Sequence, residues 1–204
     1  PFRSFFGHLE NPFPEFSHSM DDESKNTRKG TVRMQYELLE IPYDRQAAVE
    51  YANYWAYRRN PRFYSFDEIG GDCTNFVSQC IFAGCGVMNF TPTYGWYYLD
   101  INDRAPAWTG VIYLHQFLTT NRGPGPFGRE VPLAELEAGD VIQMALGGRE
   151  EFGHTVVVTR PGSGPEEILI ASHDNNANCR QVATYAYNAI RGIHIEGARY
   201  INRG

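Results

Sequence analysis

The sequence predicts an α+β domain in which helices come first and an antiparallel sheet follows. Helical spacing of apolar residues dominates between residues 45 and 118, whereas runs rich in valine and isoleucine dominate after residue 131. Short glycine- and proline-rich turns at residues 147–148 and 161–165 separate those later runs, as expected between neighbouring antiparallel strands. Helices followed by a contiguous sheet are typical of the α+β class.

Composition narrows the function before any motif is considered. The 204 residues carry 18 basic and 24 acidic side chains, a net charge of −6, and no basic stripe stands out. Nucleic acid is therefore not an expected partner. No apolar run is long enough to cross a bilayer, so no transmembrane segment is predicted. The chain begins at Pro1 and shows no signal peptide, so we expect a processed or truncated product whose compartment is not readable directly.

Residues 1–30 are predicted to precede the domain proper, which we expect to span residues 31–204. The first 16 residues hold five of the thirteen phenylalanines, and such an aromatic arm needs a surface to bury against. Residues 17–30 are polar and are predicted as a linker. The arm could lie on its own domain, mediate self-association with a second copy, or belong to a missing upstream module.

Two helices, an extended segment and four strands are predicted around the central motif. Residues 31–39 are expected to be extended, and Asp44 is a good N-cap for a helix over residues 45–59. A further helix is predicted over residues 107–118, followed by a turn-rich connection at residues 121–128. The four strands are predicted over residues 139–146, 153–160, 166–172 and 192–201.

Cys73 is the candidate nucleophile because it lies where a helix is predicted to begin. Asp72 is its expected N-cap, apolar residues follow at helical spacing, and Gly84 is placed where the helix would end. A thiol on the first turn lies at the positive end of the helix dipole, so its pKa should fall. The alternative is a small buried core residue, which is how we interpret Cys80.

The remaining cysteines indicate neither a disulfide scaffold nor a metal site. Cys85 and Cys179 could pair, but spacing cannot establish it. No zinc-ligand spacing such as C-x-x-C appears, so neither a metal nor an organic cofactor is expected.

His154 is the candidate base, since it opens a valine-rich strand where an imidazole could meet the helix terminus carrying Cys73. A third group normally orients such an imidazole, and the next strand ends in His173 and Asp174. The strand register decides between them, because a slip of one residue exchanges the two faces. Trp96 and Tyr97 are candidates for the wall of a substrate cleft.

Several segments together resemble a known family. They are Gly71-Asp-Cys-Thr-Asn-Phe-Val-Ser-Gln79, Trp96-Tyr97, Gly139-Asp-Val-Ile142, Gly153-His-Thr-Val156 and Ser172-His173. They resemble the putative amidase domain family, related to NlpC-type and CHAP-type cell-wall hydrolases. The resemblance implies a papain-like α+β fold with Cys73 as nucleophile and His154 as base. The resemblance to NlpC-type enzymes implies His173 as the third catalytic residue. The resemblance to CHAP-type enzymes leaves Asp174 as the alternative.

The predicted function is that of a cysteine amidase or peptidase that forms a thioester intermediate, with the Cys73 backbone N–H helping to hold the oxyanion. By resemblance, the substrates would be amide bonds in bacterial cell-wall peptides, and a secreted or cell-envelope location is favoured. The alternatives are a non-catalytic module that binds wall peptides or a partner, and an acyl transferase that uses the same residues. A domain whose own arm blocks its cleft is a further alternative.

Overall fold

The computed structural model describes residues 37–202, so the predicted arm and linker, residues 1–30, lie outside the described residues. The helices are α1 (Arg45–Trp55), α2 (Cys73–Cys85), α3 (Pro106–Thr109) and α4 (Val111–Thr120). The strands are β1 (Glu37–Ile41), β2 (Gly125–Val131), β3 (Val141–Leu146), β4 (His154–Arg160), β5 (Leu169–Ser172), β6 (Ala177–Gln181) and β7 (Tyr187–Asn202). None of these helices has the length and apolarity needed to cross a membrane.

Within residues 37–202, the strands form a seven-stranded antiparallel sheet in the order β1-β7-β3-β4-β5-β6, with β2 also paired to β7. Strands β3, β4 and β5 pair consecutively, as predicted, and β6, which was not predicted, continues their meander. The last predicted strand, β7, does not follow β5 in the sheet but returns beside β3. Helices packed on an antiparallel sheet make this an α+β domain, which confirms the predicted class.

Two strands were missed by sequence reasoning. The segment of β2 reads as a turn because it contains two glycines and a proline, yet it pairs with β7 across a bulge between Phe127 and Gly128. A Cβ at Gly128 would lie 2.1 Å from the carbonyl oxygen of His194, so glycine there permits the close approach of two strands. The other missed strand, β6, is a short edge strand.

The predicted helices outside α2 are shorter than expected. Helix α1 begins as predicted, with the Asp44 side chain accepting the Ala47 N–H at 2.9 Å, but it ends at Trp55. The helix predicted over residues 107–118 is divided into α3 and α4, because Gly110 takes an extended conformation between them.

Helix α2 begins at Cys73 as predicted, but Gly84 does not end it. A Cβ at Gly84 would lie 2.3 Å from Cε2 of Tyr43, so this glycine is an interior residue that lets α2 approach the segment before α1. The helix ends instead at Gly86, which takes the left-handed conformation with φ of 66°.

Helix α2 packs on one face of the sheet, and its buried side chains include Cys80, as predicted. A second apolar cluster covers the opposite face of β3, β4 and β5. Because these strands are buried on both faces, their sequences are almost continuously apolar. The packing of α2 against β4 brings the first residue of the helix to the first residues of the strand.

Candidate active site

Cys73, His154 and Asp174 meet at the amino end of α2. The cysteine sulfur, a ring nitrogen of the histidine and a carboxylate oxygen of the aspartate all lie within 4.8 Å of one another. The hydroxyls of Thr74 and Thr155, each adjacent to one of these residues, are 3.1 Å apart and join the helix to the strand. The fold therefore brings together three of the four predicted catalytic side chains.

The strand register places Asp174 on the side of His154. Strands β4 and β5 pair Val157 with Ala171, so continuing that register brings Asp174 level with His154. Asp174 and its successor Asn175 both have positive φ, 59° and 84°, which turns the chain back toward β6. The sequence left the choice between residues 173 and 174 open because it did not fix this register.

Asp174 caps helix α2 from a distant part of the chain. Its Oδ1 accepts the N–H of Asp72 at 2.6 Å, and its Oδ2 accepts the N–H of Cys73 at 3.2 Å. A carboxylate is stabilised there by unpaired N–H groups and by the helix dipole. Asp72 occupies the predicted N-cap position, but its side chain makes no capping hydrogen bond. The Cys73 N–H, predicted to hold an oxyanion, is thus already engaged in this structure.

His173 lies on the other side of the helix start, in a buried network. Its Nδ1 is 2.5 Å from Oδ2 of Asp72, its Nε2 is 3.1 Å from the carbonyl oxygen of Trp55, and its ring stacks on Phe76. Both ring nitrogens are therefore engaged away from Cys73. The contacts place His173 where it supports the loop that delivers the cysteine.

Asp72 is the centre of that network, a role that sequence reasoning missed. Its Oδ1 accepts hydrogen bonds from the N–H of Phe66 and the side chain of Asn75, both at 2.8 Å. Arg59 adds a longer contact, with Nε 3.6 Å from Oδ2 of Asp72. An aspartate that precedes a helix is ordinarily predicted to be its N-cap. Nothing in the neighbouring sequence indicates that His173, 101 residues away, is the partner of Asp72.

Arg59 also ties the two loops of the site together. It makes a bidentate contact with the Asp67 carboxylate, both distances being 2.7 Å, and donates to the Asn176 side chain at 2.9 Å. Asp67 belongs to the loop before Cys73, and Asn176 belongs to the turn that carries Asp174. Bidentate arginine contacts are directional, so this arrangement fixes one loop relative to the other.

The Cys73 thiol is protonated at neutral pH in this structure. Its residue is only 5% exposed, and burial, with a further contribution from the Asp174 carboxylate, raises the pKa of the thiol to about 12. The prediction of a lowered pKa was therefore wrong for this conformation, because desolvation and a neighbouring anion outweigh the helix dipole.

His154 is held neutral by the same burial. Desolvation lowers the pKa of its imidazole below the ordinary value of 6.5, the Asp174 charge acts in the opposite direction, and Arg180 lowers the pKa further. Its Nε2 is buried and has no hydrogen-bond partner among the described residues. A buried ring nitrogen without a partner is available to a reacting group.

A cleft of about 570 Å³ opens beside His154 and Asp174. Cys73 does not line this cleft, although its sulfur lies within 4.8 Å of both side-chain groups. The rest of the wall includes Arg149 and Glu151 from the β3–β4 connection, Arg180 from β6, and Thr184 and Tyr185 from the segment between β6 and β7. Sequence reasoning missed Arg180, Thr184 and Tyr185 because β6, which brings this part of the chain to the site, was not predicted, and it did not connect Arg149 and Glu151 with the site.

Trp96 does not line the cleft, contrary to the prediction. It is fully buried, donates from Nε1 to the Ser78 hydroxyl at 3.0 Å and packs against Trp108. The adjacent Tyr97 packs on Phe90 and also lies outside the cleft wall. Trp96 belongs to the core instead, and Tyr97 packs partly buried against it, because an indole ring buries a large apolar area.

Cys85 and Cys179, left open as a pair, are both free, since the first is buried in the core and the second is exposed. Among residues 37–202, the group of side chains that could hold a metal ion is Cys73, His154 and Asp174 themselves. A thiolate, an imidazole and a carboxylate are ordinary zinc ligands.

Comparison with known proteins identifies a family for this chain. A family profile described as "Putative amidase domain" matches residues 42–195, which include every residue of the site. YhbB, an uncharacterized protein of Bacillus subtilis (strain 168), is 32% identical over 130 residues. That match covers 63% of this chain but only 41% of the relative. No solved structure gave a significant match. An amidase domain suggests hydrolytic cleavage of amides, and the chain belongs to this amidase domain family.

Proposed function

We propose that the protein hydrolyses an amide or peptide bond with Cys73 as the nucleophile and His154 as the general base and acid. The observation that carries the proposal is the convergence of the sulfur, the imidazole and the Asp174 carboxylate within 4.8 Å at the edge of a cleft. A thiol beside an unpartnered imidazole is the arrangement that nucleophilic catalysis requires.

The reaction passes through a thioester. His154 takes the thiol proton as the Cys73 sulfur attacks the amide carbonyl carbon, and the imidazolium then gives that proton to the leaving nitrogen as the C–N bond breaks. Water attacks the thioester while His154 accepts its proton. The sulfur leaves and is protonated again, so that a carboxylic acid, an amine and the original enzyme remain.

Asp174 serves two purposes in this proposal. In the resting conformation it occupies the N–H groups of Asp72 and Cys73, and it adds to the larger effect of burial in raising the pKa of the thiol. A substrate carbonyl oxygen can replace the Asp174 carboxylate at the Cys73 N–H. The negative charge of Asp174 then moves away from the sulfur, and the N–H donates to the oxyanion. The displaced carboxylate then stabilises the imidazolium of His154, which is the role of a third catalytic group.

The finer features of the proposal rest on the resemblance to NlpC-type and CHAP-type enzymes. They are a papain-like fold, substrates among bacterial cell-wall peptides, and a secreted or cell-envelope location. The domain limits, 31–204 with an N-terminal arm at 1–30, are part of the same proposal. His173 remains the proposed NlpC-type counterpart, and we assign it positioning of the Cys73 loop because of its contacts with Asp72 and Trp55.

The burial of Cys73 favours a second candidate, a module on the same fold that binds wall peptides without turnover. A nucleophile must reach its substrate, whereas a binding module can keep the cysteine sealed. At 5% exposure, Cys73 needs a movement of Asp174 or of the cleft wall before it can react. The reactivity of the native thiol therefore separates the two candidates.

The test combines turnover and labelling. Muropeptides released from bacterial cell walls are incubated with the protein, and the products are identified by mass spectrometry. Cys73→Ala should abolish cleavage, whereas Cys179→Ala, which removes an exposed free thiol, should leave it intact. Cleavage that survives in Cys73→Ala would overturn the cysteine mechanism.

Three further measurements distinguish cysteine-dependent hydrolysis from the alternative functions. Iodoacetamide should modify Cys73 in the native protein, whereas a sealed thiol would support the binding module. Cleavage should persist after chelation with EDTA, because no proposed step uses a metal. Addition of an amine acceptor distinguishes the alternatives of hydrolysis and acyl transfer, since only a transferase would give the amide of that amine as a product.

A further inference from the structure

We propose that Arg180 selects substrates that carry a carboxylate on the residue next to the scissile amide. This inference rests on the proposed function, because it names the substrate class for the same site. It starts from the cleft wall, where Arg180 lies in the same concave surface as His154.

Arg180 is held in place rather than loose in solvent. Its Nε donates to the hydroxyl of Thr184 at 2.8 Å, and its Nη2 donates to the carbonyl oxygen of the same residue at 3.2 Å. The guanidinium lies over the ring of Tyr185, with Cζ 3.8 Å from the ring centroid. An arginine fixed on an aromatic face loses little entropy when it binds an anion.

Part of the guanidinium is available to a ligand. Nη1 has no hydrogen-bond or ion-pair partner among the described residues, and one hydrogen of Nη2 is also left over. These donors share one edge of the guanidinium group, and that edge matches the two oxygens of a carboxylate.

The position of Arg180 sets where the carboxylate must be. Tyr185 touches both partners, since its ring centroid is 5.6 Å from that of His154 and its face carries the guanidinium. Its hydroxyl is 3.3 Å from that of Ser172, which holds the ring against β5. One aromatic ring therefore separates the base from the cation. A single residue spans about 3.5 Å, so a carboxylate on the residue next to the reacting carbonyl is the substrate group placed to approach Arg180 across this ring.

The other charges of the cleft are compatible with an anionic substrate. Arg149 lies on the rim and makes no side-chain hydrogen bond or ion pair within residues 37–202, so its charge is not neutralised there. Glu151 is the exposed acid of the wall, and the carboxylate of Asp174 is engaged by two backbone N–H groups. The fixed cation nearest to the base is Arg180.

The experiment measures alkylation of Cys73, which requires no turnover. N-chloroacetylglycine and N-chloroacetylglycinamide differ only in that the first carries a carboxylate. In each, the Cys73 sulfur displaces chloride. The rate ratio of acid to amide is measured by peptide mass spectrometry at low ionic strength, with N-acetylcysteine as the reference thiol. We expect the ratio at Cys73 to exceed the reference by about tenfold or more, as for a charge-assisted hydrogen bond.

Variants assign that preference to a residue. Arg180→Gln should return the ratio to the reference value, Arg180→Lys should retain part of it, and Arg122→Gln, an exposed arginine outside the cleft, should not change it. Unfolding curves establish that each variant is folded. A ratio that equals the reference in the native protein, or one that survives in Arg180→Gln, would overturn this inference alone.

Failure of the proposed function gives a different result. If neither reagent modifies Cys73 in the native protein while both do so after unfolding, the nucleophile assignment fails, and this inference fails with it. If Arg180→Gln slows both reagents equally, the arginine has only a structural role, and the carboxylate preference is overturned.

Discussion

Two adjacent glycines before Cys73 give a matched pair of substitutions that isolates the effect of Asp174. Gly70 and Gly71 have nearly the same φ, +107° and +102°. A Cβ at Gly70 would meet nothing within 4 Å, whereas a Cβ at Gly71 would lie 2.5 Å from Oδ2 of Asp174. Alanine at either position strains the backbone, but only Gly71→Ala forces the carboxylate away from the helix terminus.

The magnitudes follow from these contacts. A non-glycine residue in such a conformation costs about 1–3 kcal/mol, so both variants should be destabilised by that amount. Gly71→Ala also loses the hydrogen bonds from Asp72 and Cys73 to the Asp174 carboxylate, which should add about 2 kcal/mol. Urea unfolding monitored by tryptophan fluorescence measures the difference.

The same pair should separate in thiol reactivity. Asp174 is one of the causes that raise the pKa of Cys73, so its displacement should lower that pKa. Each unit by which the pKa falls increases the thiolate fraction at pH 7 about tenfold. Gly71→Ala should therefore react faster with iodoacetamide than Gly70→Ala. Equal unfolding free energies and equal labelling rates in the two variants would refute the role given to Asp174.

Three further predictions concern the base, the buried network and the helix end. The acid limb of kcat/KM should lie below pH 6.5, because burial lowers the pKa of His154 and the neutral base persists as the pH falls; a limb above pH 6.5 in a pH–rate profile would contradict this. His173→Ala should lower the free energy of unfolding by about 3 kcal/mol, since it leaves buried hydrogen-bonding groups unpaired, and a cost under about 1 kcal/mol in urea titration would show that the network is unimportant. Gly84→Ala should destabilise more than Gly86→Ala, because the first clashes with the Tyr43 ring and the Asp44 carbonyl oxygen whereas the second carries only the strain of a positive φ, and calorimetric melting temperatures that shift equally would disprove that packing.

The buried network around His173 explains how a glycine-containing loop can hold the nucleophile in one position. The chain before Cys73 passes through Gly70 and Gly71, both at positive φ, which glycine adopts without strain, so contacts from elsewhere in the chain must fix the path of this loop. Asp72, His173 and Arg59 supply that fixation from three separate elements. The network therefore acts on the position of the sulfur without contacting it.

The sequence by itself determined the α+β class, the start of α2 at Cys73 and the strand that His154 opens. These features depend on local periodicity and on turn-forming residues, which are encoded in short segments. The same reasoning was wrong for Gly84, because glycine both ends helices and permits close packing. It missed β2 for a similar reason, since the glycines that favour turns also allow close approach between strands.

Only the tertiary structure decided which residue joins the Cys73–His154 pair and what charge state the pair has. The choice of Asp174 over His173 depends on a register between β4 and β5, and one residue of slip would reverse it. The thiol pKa depends on burial and on a carboxylate 101 residues away, and these outweigh the helix dipole that local sequence predicts. Arg180 of the cleft wall likewise comes from β6, an edge strand whose place in the sheet is set by pairing with β5. Such contacts join distant segments, so no local pattern encodes them.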